Sequence, residues 1–317
     1  MIRPELTIIA KTILENDYQS NEPVDTLTPI QGGEWSAAYR FNYNGQDYII
    51  RLSHTQDNFC RDKVASQWSS PDLPIPPIIR VDHCHGQYYA ISPYFPGVAL
   101  ESLPPAKLEQ TIPSLLSMLS ALQSVDLSNT VGFGTLTSEG NGAFQSWSDA
   151  LLDVSNDRPD SLTYGWKAAL AEFPQWQYKF ERFYEELTNQ IRYCPEHRTL
   201  IHSDLLYQNL LVNNCKISGV LDWGCAMVGD PLYDYAMFAF FEPWFPSFSQ
   251  AGLVQKVEQM CILKSKDNCE NFRQRVVACQ IHVTLGNIAY CAFSKRHKDL
   301  QDHICRLDDV LRETRRH

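Results

Sequence analysis

The chain has 317 residues, 44 % of them hydrophobic and 20 % charged, and 37 Asp and Glu against 27 Lys and Arg leave a net charge of −10. That balance lacks the excess of Lys and Arg that phosphate neutralisation needs, so no nucleic-acid partner is expected. The hydrophobic content is that of a folded globular chain and excludes disorder over its whole length.

In chain order, Pro4 to Asn16 places Leu6, Ile9, Ile13 and Leu14 at helical spacing behind a proline suited to a helix entry. Tyr39 to Tyr43, the turn dipeptide Asn44-Gly45 and Tyr48 to Leu52 predict a β-hairpin. A second strand pair, Ile78 to Val81 and Tyr88 to Ser92, flanks a polar turn ending in Gly86, and Arg61 to Trp68 between the hairpins reads as a short helix. After Ser92-Pro93-Tyr94-Phe95-Pro96-Gly97 the pattern changes to long helical segments, among them Ile112 to Leu122 and Tyr178 to Arg192. Two short β-like stretches, Leu210 to Val212 and Ile217 to Leu221, interrupt them, and Gln250 to Arg316 is helical again.

The expected organisation is a β-rich lobe at residues 1–92, a linker at 93–97 and a larger, mainly helical lobe at 98–317. The apolar run Tyr235 to Phe241 is far short of the roughly 20 residues of a membrane span, and the amino-terminal residues lack a signal-peptide apolar core. No membrane partner and a cytoplasmic location are expected. The ten cysteines include no C-x-x-C pair and are read as reduced thiols.

The chemistry concentrates in Leu200-Ile201-His202-Ser203-Asp204-Leu205-Leu206-Tyr207-Gln208-Asn209-Leu210, followed after a short hairpin by Asp222. An Asp, an Asn five residues on and a second Asp suit phosphoryl transfer. Asp204 can take the proton of an attacking hydroxyl, while Asn209 and Asp222 offer hard oxygens to Mg²⁺ beside triphosphate oxygens. His202 is read as a residue that ties the loop by hydrogen bonds. Asp230 and Asp234 are read as helix-start caps.

These residues resemble the catalytic loop of the aminoglycoside phosphotransferase family, part of the protein-kinase-like superfamily: His202-x-Asp204, Asn209 and the metal-binding Asp222. The closer resemblance is to the hygromycin B phosphotransferases. It is carried by Arg3-Pro4-Glu5-Leu6-Thr7, Leu73-Pro74-Ile75-Pro76, Asp126-Leu127-Ser128-Asn129-Thr130, Gly132-Phe133-Gly134, Ala226-Met227 and Gly229-Asp230, over residues 1–245.

The resemblance implies a bilobal protein-kinase-like α+β fold, with a small β-rich nucleotide lobe and a larger mainly helical lobe. It implies an ATP- and Mg²⁺-dependent phosphotransferase acting on a hydroxyl of a small cationic molecule, an aminoglycoside such as hygromycin B, an activity associated with antibiotic resistance, although resistance as the physiological role stays open. In the nucleotide lobe it assigns Gly32, Gly33 and Ser36 to a loop over the phosphates. Arg51 becomes the phosphate cation, Asp62 its helix partner, and Ser92 and Tyr94 the linker to the purine, with the Tyr94 N–H as a candidate donor. Glu242 and Trp244 are candidates for the acceptor wall. The chain departs from its relatives at Leu205-Leu206-Tyr207-Gln208 and at Glu242, near the expected acceptor side. GTP in place of ATP, another acceptor (choline, homoserine or a sugar) and an inactive nucleotide-binding module stay open, as does the oligomeric state. No Asp-Phe-Gly or Ala-Pro-Glu segment follows Asp222, which speaks against a protein kinase.

Overall fold

Two tight turns shape the amino-terminal sheet. Asn44 and Gly45 take φ of 53° and 78°, and His85 and Gly86 take 49° and 75°, the doubly left-handed pattern whose twist matches a two-residue hairpin. The computed structural model describes residues 4–17, 27–30, 35–206, 208–264 and 270–315. Helix α1 (Pro4–Asp17) is followed by β1 (Thr28–Ile30), β2 (Ala37–Tyr43), β3 (Gln46–Ser53), α2 (Asp57–Ala65), β4 (Arg80–Cys84) and β5 (Gln87–Pro93). The five strands form one antiparallel sheet in the order β1-β2-β3-β5-β4. Alternate residues Tyr39 and Phe41, Ile50 and Leu52, and Tyr89 and Ile91 face Ala10, Ile13 and Leu14 of α1 and make a small core of their own.

The remainder is larger and mostly helical. It opens with β6 (Val98–Ala99), α3 (Pro105–Gln123), β7 (Phe133–Leu136), β8 (Gly142–Phe144), α4 (Trp147–Leu152), α5 (Trp166–Ala171) and α6 (Pro174–Gln190). Next come β9 (Thr199–Ile201), β10 (Leu210–Asn213), β11 (Lys216–Val220), β12 (Met227–Gly229) and α7 (Tyr233–Phe241). The chain closes with α8 (Pro246–Ala251), α9 (Leu253–Lys264), α10 (Phe272–Phe293) and α11 (His297–Thr314). The strands make two small sheets, β11-β10-β6 and β8-β7-β12-β9.

Several of these elements differ from the sequence reading. The strands β1, β6, β7, β8, β9 and β12 are two to four residues long, too short for alternation to show. Helix α3 begins seven residues before Ile112 and runs through Pro113, because Leu108, Thr111, Ile112, Leu115, Met118, Leu119 and Leu122 bury one continuous stripe. Helix α2 starts at Asp57, ahead of the expected Arg61. Ala65 at its end, and Leu73 and Ile75 beyond it, pack into the larger core although they precede the linker.

Helix α10 is, among the described residues, the one helix long and apolar enough to cross a bilayer. Its apolar faces are covered by the surrounding helices, and Val277, Ile281, Leu285 and Ile288 are buried in the larger core. Arg275, 1 % exposed, meets Asp230 at the start of α7 through two bonds of 2.8 Å. A pair so placed is tolerated because both charges and their donors are matched. Further along α10, His282 Nδ1 lies 2.7 Å from the Tyr233 hydroxyl, and burial pushes its imidazole down to about 4.

A folded-state pKa below the unfolded value means that the unfolded chain takes up the proton first, so this contribution to stability is lost as pH falls from about 6.5 towards 4. Comparing wild type with His282→Gln by urea unfolding is expected to give a stability difference that moves against wild type by up to about 1.4 kcal/mol per pH unit in that window. A difference that stays constant from pH 7 to 4 contradicts the assignment.

Candidate active site

Strand pairing forces the two key loops together. Ile201 pairs with Met227 and Leu210 with Val220, so the loops 202–209 and 221–226 are tied to each other at both ends. The Leu221 N–H donates to the Asn209 carbonyl at 2.8 Å within this arrangement.

Among the described residues of these loops, three adopt left-handed backbone without being glycine: Ser203 at φ 60°, Gln208 at 78° and Asp222 at 58°. Each such residue costs on the order of 1–3 kcal/mol and persists where its surroundings over-determine it. Here carboxylates do so. Asp234 accepts the N–H groups of His202 at 3.1 Å and Ser203 at 2.8 Å. Glu101 accepts that of Gln208, and its second oxygen is buried without a partner. Asp62 accepts the N–H of Trp223 at 2.7 Å. Burial pushes Asp234 up to about 6 while the two amide bonds pull it back, and burial also raises Glu101. Neither acid caps α7, whose N-cap is Leu232: Asp230 accepts the Leu232 N–H at 2.9 Å in the turn ahead of the helix, and Asp234, one residue into it, turns its carboxylate onto the Asp204 loop.

His202 is fully buried against the Trp223 ring, 4.6 Å between centroids. Its Nδ1 accepts the Asp204 N–H at 3.2 Å and its Nε2 donates to the Leu221 carbonyl at 2.9 Å. Burial holds the imidazole near 4, neutral, so it bridges the two loops. The Asp204 carboxyl is pushed up to about 7, by burial first and the Asp222 charge second, with Asn209 acting against both. Asn209 Nδ2 donates to the Asp204 carbonyl at 2.7 Å and to its carboxylate at 3.1 Å. With its amide nitrogen used in this way, the Asn209 side-chain oxygen is left as an acceptor for another ligand. A carboxylate poised near neutral suits a proton acceptor.

On the other side of Asp222, Arg51 of β3 pairs with Asp62 of α2. Against the cost of burial, Asp62 and Asp222 hold the Arg51 guanidinium above its ordinary value. The Asp222 charge thus acts on Asp204 on one side and on Arg51 and Asp62 on the other. The structure thereby brings Asp204, Asn209, Asp222, Arg51 and Asp62 together.

Other expected residues are placed differently. Ser36 lies immediately before β2, and Ser92 is buried in β5 opposite Ile49; Gly32 and Gly33 lie outside the described residues. The Tyr94 N–H does not face a purine: it donates to the Asp47 carbonyl at 2.9 Å, extending the β3–β5 ladder, and Arg40 covers the Tyr94 ring at 4.2 Å. Continuing the alternation of an antiparallel strand turns the Pro93 carbonyl and the Phe95 N–H the other way. Leu205 and Leu206 are buried in the larger core and so do not line the acceptor side. Glu242 and Trp244 follow the far end of α7, about 12 Å along the helix from Asp234. There Glu242 accepts from Ser249 and Trp244 packs on Phe240, Phe241 and His303.

Sequence reasoning missed Glu101, Arg61 and a ring contact between Trp35 and α10. Trp35, beside the expected phosphate loop, approaches Tyr290 and Phe293 of α10 at 6.2 and 6.4 Å. Its signal was present in the sequence: a tryptophan two residues after the glycine pair Gly32-Gly33.

A profile of the phosphotransferase enzyme family matches residues 26–258. Hygromycin-B 4-O-kinase of Escherichia coli is 30 % identical over 252 residues, covering 79 % of this chain and 72 % of that protein. The ternary complex of a thermostable aminoglycoside phosphotransferase APH(4)-Ia variant with AMP-PNP and hygromycin B superposes with a TM-score of 0.80 at 26 % identity. It covers 95 % of this chain and 97 % of the other. The gentamicin complex of APH(2")-IIa shares the fold, with a TM-score of 0.63 at 17 % identity over 97 % of both chains.

An orphaned buried donor costs about 1–3 kcal/mol, so Asp234→Ala is expected to lower stability by at least that amount. Asp234→Asn keeps one acceptor oxygen and should lose less. Thermal or urea unfolding reads the difference, and an Asp234→Ala protein as stable as wild type contradicts the role given to this carboxylate.

Proposed function

The chain belongs to the phosphotransferase enzyme family, and from that premise we propose that it transfers the γ-phosphate of ATP to a hydroxyl of an aminoglycoside such as hygromycin B. The observation that carries this reading is the convergence of Asp204, Asn209, Asp222 and the Arg51–Asp62 pair. The acceptor is taken from the hygromycin-B kinase that the chain resembles over most of its length.

Residues 1–92 form the nucleotide lobe in this reading, 93–97 the linker and 98–317 the acceptor lobe, the last beginning where Val98 pairs with β10. Arg51, fixed by Asp62, steadies the α- and β-phosphates. Ser36, with Gly32 and Gly33, belongs to the loop over them. Ser92 and Tyr94 set the linker at the purine edge, where the Pro93 carbonyl and Phe95 N–H supply the backbone bonds.

Asp204 accepts the proton of the attacking hydroxyl, and the Asn209 amide aims that carboxylate. The donor set fits Mg²⁺, which commonly takes one or two protein oxygens and completes its shell with phosphate and water. Asn209 offers one oxygen, and Asp222 has one oxygen on the Gly224 N–H at 3.4 Å and a second to give. Bound there, the ion would neutralise charge on the transferring phosphate. Glu242 and the exposed edge of Trp244 form an outer wall for an amine and a sugar ring. The net charge of −10 draws a polycationic acceptor inward, an attraction that salt weakens.

Magnesium-dependent ATP turnover across hygromycin B, other aminoglycosides, choline and homoserine tests the acceptor. Stimulation by aminoglycosides is expected, and stimulation by choline or homoserine alone overturns this part of the reading. Asp204→Ala should lose about 10²–10⁴-fold in turnover while keeping nucleotide affinity; near-normal turnover would refute its role. For Asp222→Asn, a magnesium requirement unchanged from wild type would do the same.

A further inference from the structure

Helix α2 stands before the linker in sequence but is anchored to the larger lobe. Ala65 at its end, with Leu73 and Ile75 beyond, belongs to the larger core, and the Pro74 carbonyl accepts the Val220 N–H at 2.8 Å. Along its length α2 grips the turn that follows Asp222 at three points. Asp62 takes the Trp223 N–H at 2.7 Å. Arg61 Nη1 donates to the Gly224 carbonyl at 2.8 Å, and Arg61 Nε to the Leu136 carbonyl of β7 at 2.8 Å. Asn58 fills the space beside Gly224 so closely that a Cβ there would meet its side chain at 2.7 Å.

The turn needs such support. Asp222 sits at φ 58° and ψ 76°, a region a non-glycine residue leaves unless held. The local bond from the Gly224 N–H to the Asp222 carboxylate is long, at 3.4 Å. The peptide units that flank Trp223 and Gly224 are instead fixed from α2: Asp62 holds the Asp222–Trp223 unit by its N–H, and Arg61 holds the Gly224–Cys225 unit by its carbonyl. Only a planar guanidinium offers two donors in a fixed fork to two carbonyls at once; an ammonium is a point charge on a flexible stem.

We propose that Arg61 is a positioning residue for the metal-nucleotide site: by bridging the Gly224 and Leu136 carbonyls it fixes the turn that presents the Asp222 carboxylate. The inference rests on the reading of Asp222 as a magnesium ligand given above, and it adds a residue that touches neither nucleotide nor metal. It also ties α2 to the larger lobe, so the Asp62 that pairs with Arg51 of the small sheet is held from that lobe.

The test is AMP-PNP affinity measured by calorimetry with and without Mg²⁺, on wild type, Arg61→Met and Arg61→Lys, with thermal unfolding to establish that each is folded. Wild type should bind AMP-PNP more tightly when Mg²⁺ is present. Arg61→Met should keep the metal-free affinity while the Mg²⁺ concentration for half-maximal gain rises about 10–100-fold, as for other residues that orient a metal ligand. Arg61→Lys should fall between the two, and it carries the test if Arg61→Met does not fold. A folded Arg61 variant with the wild-type magnesium requirement overturns the proposal. So does an equal loss of affinity with and without Mg²⁺, which would make Arg61 a plain structural tie between α2 and the turn. A wild type whose AMP-PNP affinity ignores Mg²⁺ would overturn the magnesium reading itself, and the Arg61 role with it.

Discussion

Backbone N–H groups held by carboxylates are the interaction on which this site rests. Ser203, Gln208 and the residue after Asp222 each donate to one, respectively Asp234, Glu101 and Asp62, and the three left-handed residues of the site lie at or beside those donors. Burial raises all three carboxyls, and the donors each one meets act against it: backbone amides for Asp234 and Glu101, and Arg51 ahead of the Trp223 amide for Asp62. Strain in the loops and desolvation of the acids are thus matched against one another. Neither would persist alone.

This arrangement explains how an acidic site can serve phosphate chemistry. The carboxylates that shape the loops face backbone amides or Arg51, and their charge is partly satisfied before any ligand arrives. Asp204 and Asp222 are different. Among the described residues, Asp204 has only the Asn209 amide on its carboxylate and Asp222 has the long Gly224 bond, so in the proposed reading their oxygens are left for a proton and for a cation. In the proposed mechanism the site separates acids that build from acids that react, and the two differ in the donors they meet: close backbone N–H groups or Arg51 on Asp234, Glu101 and Asp62, but a side-chain amide on Asp204 and a long bond on Asp222. Positioning of this kind is the main source of catalysis in phosphoryl transfer.

Much of this was legible in the sequence, and the limits have a physical form. Asn44-Gly45 announced its hairpin because only residues tolerant of positive φ can close a two-residue loop. The spacing of Asp204, Asn209 and Asp222 announced the chemistry because the loop and the intervening hairpin have short, fixed lengths. Asp234 was legible as a helix-start residue, but not as the clamp on Ser203, 31 residues away. Arg61 and Glu101 were silent for the same reason, since their partners lie 163 and 107 residues off in the chain and leave no periodic trace. The Tyr94 amide went astray for want of one fact, that the β3–β5 ladder runs past Pro93 to Asp47. Leu205 and Leu206 looked like acceptor-facing changes because a loop residue's side cannot be read without knowing which strands hold the loop.

The central claim is that the two loops are assembled before any ligand binds. Amide hydrogen exchange of the ligand-free protein, followed by NMR at Ser203, Gln208 and Trp223, tests it most directly. The account predicts protection at all three comparable to amides in the β9 and β10 strands that flank the Asp204 loop. Exchange at the rate of open surface loops, with protection gained only when nucleotide is added, would contradict it.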